Sequence, residues 1–263
     1  MSQIRRTPVR YRELLVGLAL TDFRARHKGS LLGAGWSFAH PIATIGLYLF
    51  VYKVAMRGGE TEGVPFALWL VVGFVPWFFF TDGLVAMSQS LVDYRYLVKK
   101  VVFEVTIIPA IKLLSSTFVA VVVWTVLLVV LSVAGYTPRL AWLQIPYFFG
   151  CILMLTAGLG LLTAAITPFV CDLTQMVVLA IQFGLWLTPI LWPMSNAPKA
   201  VLPFVKLNPL VYVLQGLRDA LLHGRPFWYH PVLTLYFWVF VILVNGLGVY
   251  VFTRLRPQFA DVL

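Results

Sequence analysis

The residues able to do chemistry are few and scattered. Ten acidic side chains, four histidines and two cysteines occur in 263 residues, and none falls into a catalytic constellation. A nucleotide-hydrolysing chain needs a glycine-rich loop whose backbone amides cradle phosphate, with a lysine at its end. The Gly-x-x-x-x-Gly-Lys-[Ser/Thr] pattern does not occur, nor do His-Glu-x-x-His or Gly-x-Ser-x-Gly. Gly158-Leu-Gly160 lacks the third glycine of a dinucleotide loop. His27, His40, His223 and His230 are isolated from one another, which gives a metal no ligand set. Cys151 and Cys171 lie near the two ends of one apolar stretch, about 30 Å apart along a helix, whereas a disulfide needs Cα atoms within about 7 Å. The chain is therefore read as having no catalytic residue, bound cofactor or metal of its own.

The remaining polar chemistry is concentrated in three places. Asp93-Tyr94-Arg95-Tyr96-Leu97-Val98-Lys99-Lys100 carries both charge signs and two aromatic rings in one short segment. Tyr and Arg are types enriched at the buried centres of protein interfaces. From Arg12 to Lys28 a helical projection places Glu13, Gly17, Thr21, Arg24 and Lys28 on one strip, with Leu15, Leu18, Ala19 and Phe23 opposite and Asp22 and Arg26 interrupting the apolar face. Thr7-Pro8 supplies an N-cap and a first helical residue. Such a helix lies in a membrane interface and offers its charges to a partner. The third place is Pro193 to Tyr229, punctuated by Pro193, Pro198, Pro203, Pro209 and Pro226. There Leu210, Leu214, Leu217 and Leu221 share one helical face and Gln215, Asp219 and His223 the other, with Gly224 as a stop.

These segments are held by apolar sequence. With 60% hydrophobic and 11% charged residues, the composition lies far from the roughly 25% charged residues of a soluble domain. Six stretches of about 17 to 30 residues are each long enough to cross a ~30 Å hydrocarbon layer as a helix. They are Trp36–Met56, Val64–Ala86, Val105–Ala134, Trp142–Thr167, Met176–Trp192 and Pro231–Phe252. The expected fold is an all-α membrane protein. A leader (1–35) precedes one transmembrane domain (36–263), with a cytoplasmic loop at 87–104 and an extracytoplasmic segment of half-helices at 193–229. The leader has no small-residue cleavage site and does not read as a signal peptide.

Orientation follows the lysine and arginine bias. Arg5, Arg6, Arg10, Arg12, Arg24, Arg26, Lys28, Arg95, Lys99, Lys100, Arg254 and Arg256 fall on one side, against Lys53, Arg57, Arg139, Lys199, Lys206, Arg218 and Arg225 on the other. Both termini are thus expected in the cytoplasm. Contact with anionic lipid explains the net charge of +10, and no nucleic acid is needed. Aromatic residues are bunched: Tyr48 and Tyr52; Trp77-Phe78-Phe79-Phe80; Trp186 and Trp192; Phe227-Trp228-Tyr229. As a belt they anchor helices at the interface. Facing inward, they offer flat apolar surfaces to the C–H faces of sugar rings.

Several motifs occur in a fixed order: Gly33-x-x-Trp36 followed by Pro41, Gly73-Phe-Val-Pro76-Trp77-Phe78-Phe79-Phe80, Tyr96-Leu-Val-Lys99-Lys100, Thr188-Pro189-Ile-Leu-Trp192 and Asn208-Pro209. In that order and spacing the chain resembles the membrane subunit of type-2 ABC polysaccharide exporters, the Wzm/TagG/KpsM-like family, over essentially its whole length. The resemblance implies a bacterial inner-membrane homodimer around a channel and a separate ATP-binding-cassette subunit that carries ATP and Mg. It implies export of a lipid-linked polysaccharide, with O antigen, capsule and teichoic acid as the alternatives. It also implies that the leader and the second cytoplasmic segment meet the ATPase, which maps onto Glu13, Arg24, Lys28, Asp93, Tyr94, Arg95, Lys99 and Lys100. Short gate helices before the last span match Val201 to Leu222. By their chemistry Tyr48, Tyr52, Trp77, Phe78, Phe79, Trp186, Trp192, Gln215 and Asp219 are candidates for the substrate path or gate. A type-2 permease for drugs or lipids, and a multipass lipid-modifying enzyme, are the competing readings; the enzyme needs a cluster of acids or histidines at one membrane face.

The missing phosphate loop predicts that the purified protein hydrolyses no ATP until a nucleotide-binding subunit is added. Reversing the charges of Arg95 and Lys99 together should weaken that complex. Undiminished co-purification of the double variant would reject the docking segment.

Overall fold

The computed structural model describes residues 8–26, 33–55, 59–98 and 104–263. Lys28, Lys99 and Lys100 lie outside the described residues. Helix α1 (Pro8–Arg26) opens with proline, whose fixed φ suits a first helical position. Then come α2 (Trp36–Ala55), α3 (Phe66–Asp93), the short α4 (Arg95–Val98), α5 (Ile107–Val133), α6 (Ile145–Ile166) and α7 (Leu173–Leu187). The short α8 (Leu202–Lys206) and α9 (Pro209–Arg218) precede α10 (Pro231–Leu255) and α11 (Phe259–Val262).

Each of the six apolar stretches has become a helix. Among the described residues four helices are long and apolar enough to cross a membrane: Phe66–Asp93, Ile107–Val133, Leu140–Ile166 and Pro231–Val262. Helix α2 carries Pro41 inside it, and α7 has only 15 residues, about 22 Å at 1.5 Å per residue. The fifth stretch was expected to continue to Trp192. It stops at Leu187 because Thr188 precedes Pro189 and takes an extended ψ of 137°, the conformation that a following proline ring imposes. The all-α expectation also meets a small hairpin, β1 (Glu60–Thr61) paired antiparallel with β2 (Val64–Pro65). Its two turn residues, Glu62 and Gly63, have φ of 54° and 76°, the positive values of a tight hairpin turn.

Helix α3 is the central post. Trp69, Leu70, Val72, Phe74, Val75, Trp77, Phe79 and Phe80 are buried along it, against α5, α6, α7 and α9. It runs on to Asp93, so the first part of the segment read as loop 87–104 is helical. Polar side chains fix neighbouring elements: Ser88 Oγ lies 3.2 Å from Thr167 Oγ1 and 3.3 Å from Thr174 Oγ1.

Helix α10 lies along α6, and the contact depends on backbone proximity. A Cβ at Gly248 would stand 2.9 Å from the Gly158 carbonyl oxygen, and one at Gly158 would stand 2.7 Å from the Asn245 amide nitrogen. Small residues allow such close approach where no hydrophobic force separates helix from lipid. A Cβ at Gly246, two residues away, meets nothing within 4 Å. Gly248→Val is therefore expected to lower the thermal stability of the detergent-solubilised protein by about 1–3 kcal/mol, while Gly246→Ala leaves it unchanged. Equal effects at the two positions would show that this packing does not control stability.

Candidate functional sites at the two ends of the bundle

The buried charges gather at opposite ends of the helix bundle. At one end α1 packs Leu15, Leu18 and Ala19 against Ile107 and Ile111 of α5. The two residues that interrupted the apolar face of α1 explain why it stays there. Asp22, only 4% exposed, meets the ammonium of Lys112, itself 7% exposed, at 2.9 Å. The same carboxylate accepts from Arg26 Nε at 2.9 Å and from the Tyr94 hydroxyl at 2.8 Å. Lys112 also reaches Asp93 at 2.9 Å, and Arg26 reaches Asp82 at 3.6 Å. Burial pushes the Asp22 carboxyl upward, but the hydrogen bond from Lys112, the charge of Arg26 and the Tyr94 hydroxyl outweigh it and hold it below 3.8. Burial, followed by the hydrogen bond to Asp22, pushes the Tyr94 phenol up.

Two of the residues expected to dock a partner, Asp93 and Tyr94, are thus bonded into this network, while Glu13, Arg24 and Arg95 are exposed. Asp22, Arg26 and Lys112 were not singled out from the sequence as site residues. The available signals were an Asp22–Arg26 pair at i,i+4 on an apolar face and a lone lysine one and a half turns into an apolar helix.

At the other end, Arg218 is fully buried, and among the described residues its hydrogen bonds go to backbone carbonyls, with the charges of Glu62 and Asp219 nearby. Its Nε donates to the Trp69 carbonyl at 3.2 Å, its Nη1 to that of Pro189 at 2.7 Å and its Nη2 to that of Ile190 at 3.2 Å. The guanidinium lies 3.4 Å from the Trp69 ring centroid, a cation–π contact. A Cβ at Gly73 would stand 2.4 Å from Arg218 Nη2. Asn208 donates from Nδ2 to Thr188 Oγ1 at 2.8 Å and caps α9 by accepting from the Leu210 amide at 3.0 Å. Gly73 with Trp69 and Pro189-Ile190, distant in sequence, therefore clamp Arg218, and Asn208 fastens the neighbouring Thr188 to the start of α9.

Asp219 adjoins the clamp. The sequence pattern expected it on a polar face with Gln215 and His223, but it is 2% exposed. Arg225 Nη1 donates to its Oδ1 at 3.3 Å, His230 Nε2 lies 3.2 Å from Oδ2, and His223 Nδ1 lies 3.8 Å from Oδ1. A helix buried on nearly every side has no polar face, so its carboxylate is covered by the Arg225 guanidinium and the imidazoles of His223 and His230. Gly224, at φ 72°, ends this helical run as its sequence signalled. Gln215 is half-buried.

The bunched aromatics do not form one surface. Tyr48 stacks on Phe74 and Tyr52 on Phe66, with centroids 5.3 and 3.5 Å apart, so both seat α2 against α3. Trp77 is buried beside Gly184 of α7, and Phe79 stacks on Phe149 at 5.6 Å. Trp186 is 64% exposed, and its carbonyl accepts from Trp192 Nε1 at 2.9 Å. Phe78 and Phe79 share a cleft of about 790 Å³ that also takes in Arg26, His40, Asp82 and Gln182.

Comparison with known proteins places this architecture. The profile of the ABC-2 type transporter matches residues 14–222. The chain belongs to the ABC-2 type transporter family. The matched region begins inside α1 and ends just past the clamp, so it holds Asp22, Lys112, Arg218 and Asp219 together. Over 252 residues, 95% of each chain, this ABC-2 protein is 29% identical to the O-antigen export system permease protein RfbA of Klebsiella pneumoniae. It is 26% identical to the protein of that name from Myxococcus xanthus over 228 residues, 86% of each chain. It is 25% identical to the polysialic acid transport protein KpsM of Escherichia coli over 214 residues, 79% of this chain and 80% of that one. An ABC-2 membrane subunit is a permease, in agreement with the absence of catalytic motifs.

Arg218 should be irreplaceable by lysine, which cannot reach three carbonyls in one plane or stack on Trp69. Arg218→Lys and Gly73→Ala are each expected to cost about 2–4 kcal/mol, read as thermal unfolding in detergent. Wild-type stability in both variants would show that the clamp does not hold the fold.

Proposed function

We propose that this ABC-2 permease is the membrane subunit of an ATP-driven exporter that carries a lipid-linked polysaccharide, O antigen first, from the cytoplasm to the outer side of the bacterial inner membrane. The observation that carries the reading is the end-to-end likeness to permeases named for O-antigen export, in a chain that lacks a phosphate loop. The likeness to a polysialic acid transport protein supports capsular polysaccharide as the second reading.

In this proposal α2, α3, α5, α6, α7 and α10 are six spans and both termini are cytoplasmic. Helices α8 and α9, with the turn that follows, are the gate segment on the outer side, held in place by the Arg218 clamp. Two copies enclose a channel. The exposed strip of α1 with Glu13 and Arg24, together with Asp93, Tyr94 and Arg95, receives the ATP-binding subunit, where ATP and Mg are bound. Lys28, Lys99 and Lys100, which lie outside the described residues, are further docking candidates by their charge. Of the candidate path residues, Tyr48, Tyr52, Phe78, Trp186, Trp192 and Gln215 keep exposed surface, with the cleft bordered by Phe78 and Phe79 as the opening section of the path; Trp77 and Asp219 are buried behind the path and support it.

The test is genetic and chemical together. In a strain whose O-antigen permease is deleted, this chain and its ATPase should restore surface O antigen, and Phe78→Leu and Trp186→Leu should lower polymer per assembled transporter. In a background without Cys151 and Cys171, cysteines at Gly59 and Lys199 should react with an impermeant thiol reagent from outside, and one at Lys99 should not. Restoration of capsule but not O antigen would select the second reading, and outside labelling at Lys99 would overturn the orientation.

A further inference from the structure

Leu15, Leu18 and Ala19 of α1 form an apolar seam with Ile107, Ile111, Leu114 and Phe118 of α5, while Glu13, Leu14, Val16, Gly17, Leu20, Thr21 and Arg24 on its other sides are exposed. Among the described residues that seam joins α1 to α5 and contains no residue of α3. Charge ties α1 to α3. Lys112 of α5 holds Asp22 of α1 and Asp93 at the end of α3, each at 2.9 Å, so one ammonium is shared by carboxylates from two helices. Without it the buried Asp22 would lack its ammonium partner beside a second carboxylate, that of the exposed Asp93, and the two would repel.

A second point of attachment lies further along. Arg26 of α1 reaches Asp82 of α3 at 3.6 Å, the Lys112 carbonyl at 3.4 Å and Ser116 Oγ of α5 at 3.5 Å. Asp82 and Asp93 stand three turns apart on α3, about 16 Å. On α1 the two attachments, Asp22 and Arg26, stand about one turn apart; Asp82 is exposed, so the outer contact is the weaker of the two and the buried Asp22–Lys112 pair carries the joint. Tyr94 bonds Asp22 at 2.8 Å and lies beneath Lys112, its ring centroid 5.1 Å from Nζ. The two segments assigned to the ATPase, α1 and the stretch from Asp93 onward, therefore meet at a single buried ion.

We infer that Asp22 and Lys112 are positioning residues that couple α1 rigidly to α3 and α5, so that displacement of α1 by the ATPase is transmitted to these helices and not spent in bending a joint. The inference rests on the reading that α1 docks an ATP-binding subunit. Rigidity of the joint is a property of this chain and is measurable separately. A buried ion pair resists separation because parting leaves an uncompensated charge out of water. An exposed pair in the same place would be screened and weak. The burial of both partners is therefore what suits the pair to carry force.

The test uses the assembled complex in lipid. Spin labels at Val16→Cys and Gln89→Cys, with Cys151 and Cys171 replaced, report the separation of α1 from α3. Wild type should give one narrow distance that is the same without nucleotide and with ATP trapped, and Lys112→Gln should give a broad distance that shifts with ATP. Polysaccharide exported per ATP hydrolysed should fall about tenfold in Asp22→Asn and in Lys112→Gln. The double variant should be no worse than the poorer single, as for residues that act as a unit. Lys112→Arg, which keeps the charge, should restore both readouts. An unchanged distance and export ratio in Lys112→Gln, or a wild-type distance that itself shifts with ATP, would overturn the coupling. Failure of wild type to co-purify with the ATPase would remove the docking reading instead, while the narrow wild-type distance and its loss in Lys112→Gln would still establish the rigid joint.

Discussion

Lys112 and Arg218 are both withdrawn from water inside an otherwise apolar bundle, where an ionised side chain costs several kcal/mol unless it is paired and hydrogen-bonded. The rest of the molecule is arranged around meeting that demand. Lys112 is answered by two carboxylates and lies against the Tyr94 ring. Arg218 is answered by three backbone carbonyls and an indole face. The first solution recruits α1 and α3 to α5; the second recruits α3 and the break after α7 to α9. Each end of the bundle is closed by a cation that cannot be left alone.

The break after α7 illustrates how one requirement supports another. Pro189 ends the helix and leaves carbonyls without helical partners, a costly state away from water. Arg218 needs acceptors, and the Pro189 and Ile190 carbonyls need donors, so each satisfies the other. The glycine at position 73 leaves room for the guanidinium to reach them. Backbone that departs from a helix at membrane depth is tolerated only where protein buries it, and here α3 and α9 do so.

Between the two ends the packing is of a different kind. Close approach at Gly158 and Gly248 and hydroxyl contacts at Ser88, Thr167 and Thr174 hold helices whose apolar surfaces gain little from one another in lipid. The bundle thus has apolar flanks and buried charge at both ends.

The helical nature, order and approximate limits of the apolar stretches were legible in the sequence, because length and hydropathy are local properties; among the described residues four of these helices are long and apolar enough to cross a membrane. The helix that begins at Pro8 and the stop at Gly224 were legible for the same reason, whereas the exposed Leu14, Val16 and Leu20 of α1 depart from a clean amphipathic pattern. The roles of Asp22, Lys112, Arg218 and Asp219 were not. Asp22 read as a blemish on an apolar face, Arg218 as one more loop cation, and Asp219 as a residue turned toward water. The partners of Lys112 and Arg218 lie on other elements, up to 149 residues away for Arg218 and Trp69, and periodicity carries no information about a neighbour that distant; those of Asp219 are near in sequence but are brought to it only by the turn that follows. The motifs around Gly73, Thr188 and Asn208 could be noticed as residues in order. Only the tertiary structure showed that the first two meet at one guanidinium and that Asn208 is bonded to Thr188 beside it, because pairing a buried charge is a condition on three-dimensional neighbours and not on any segment alone.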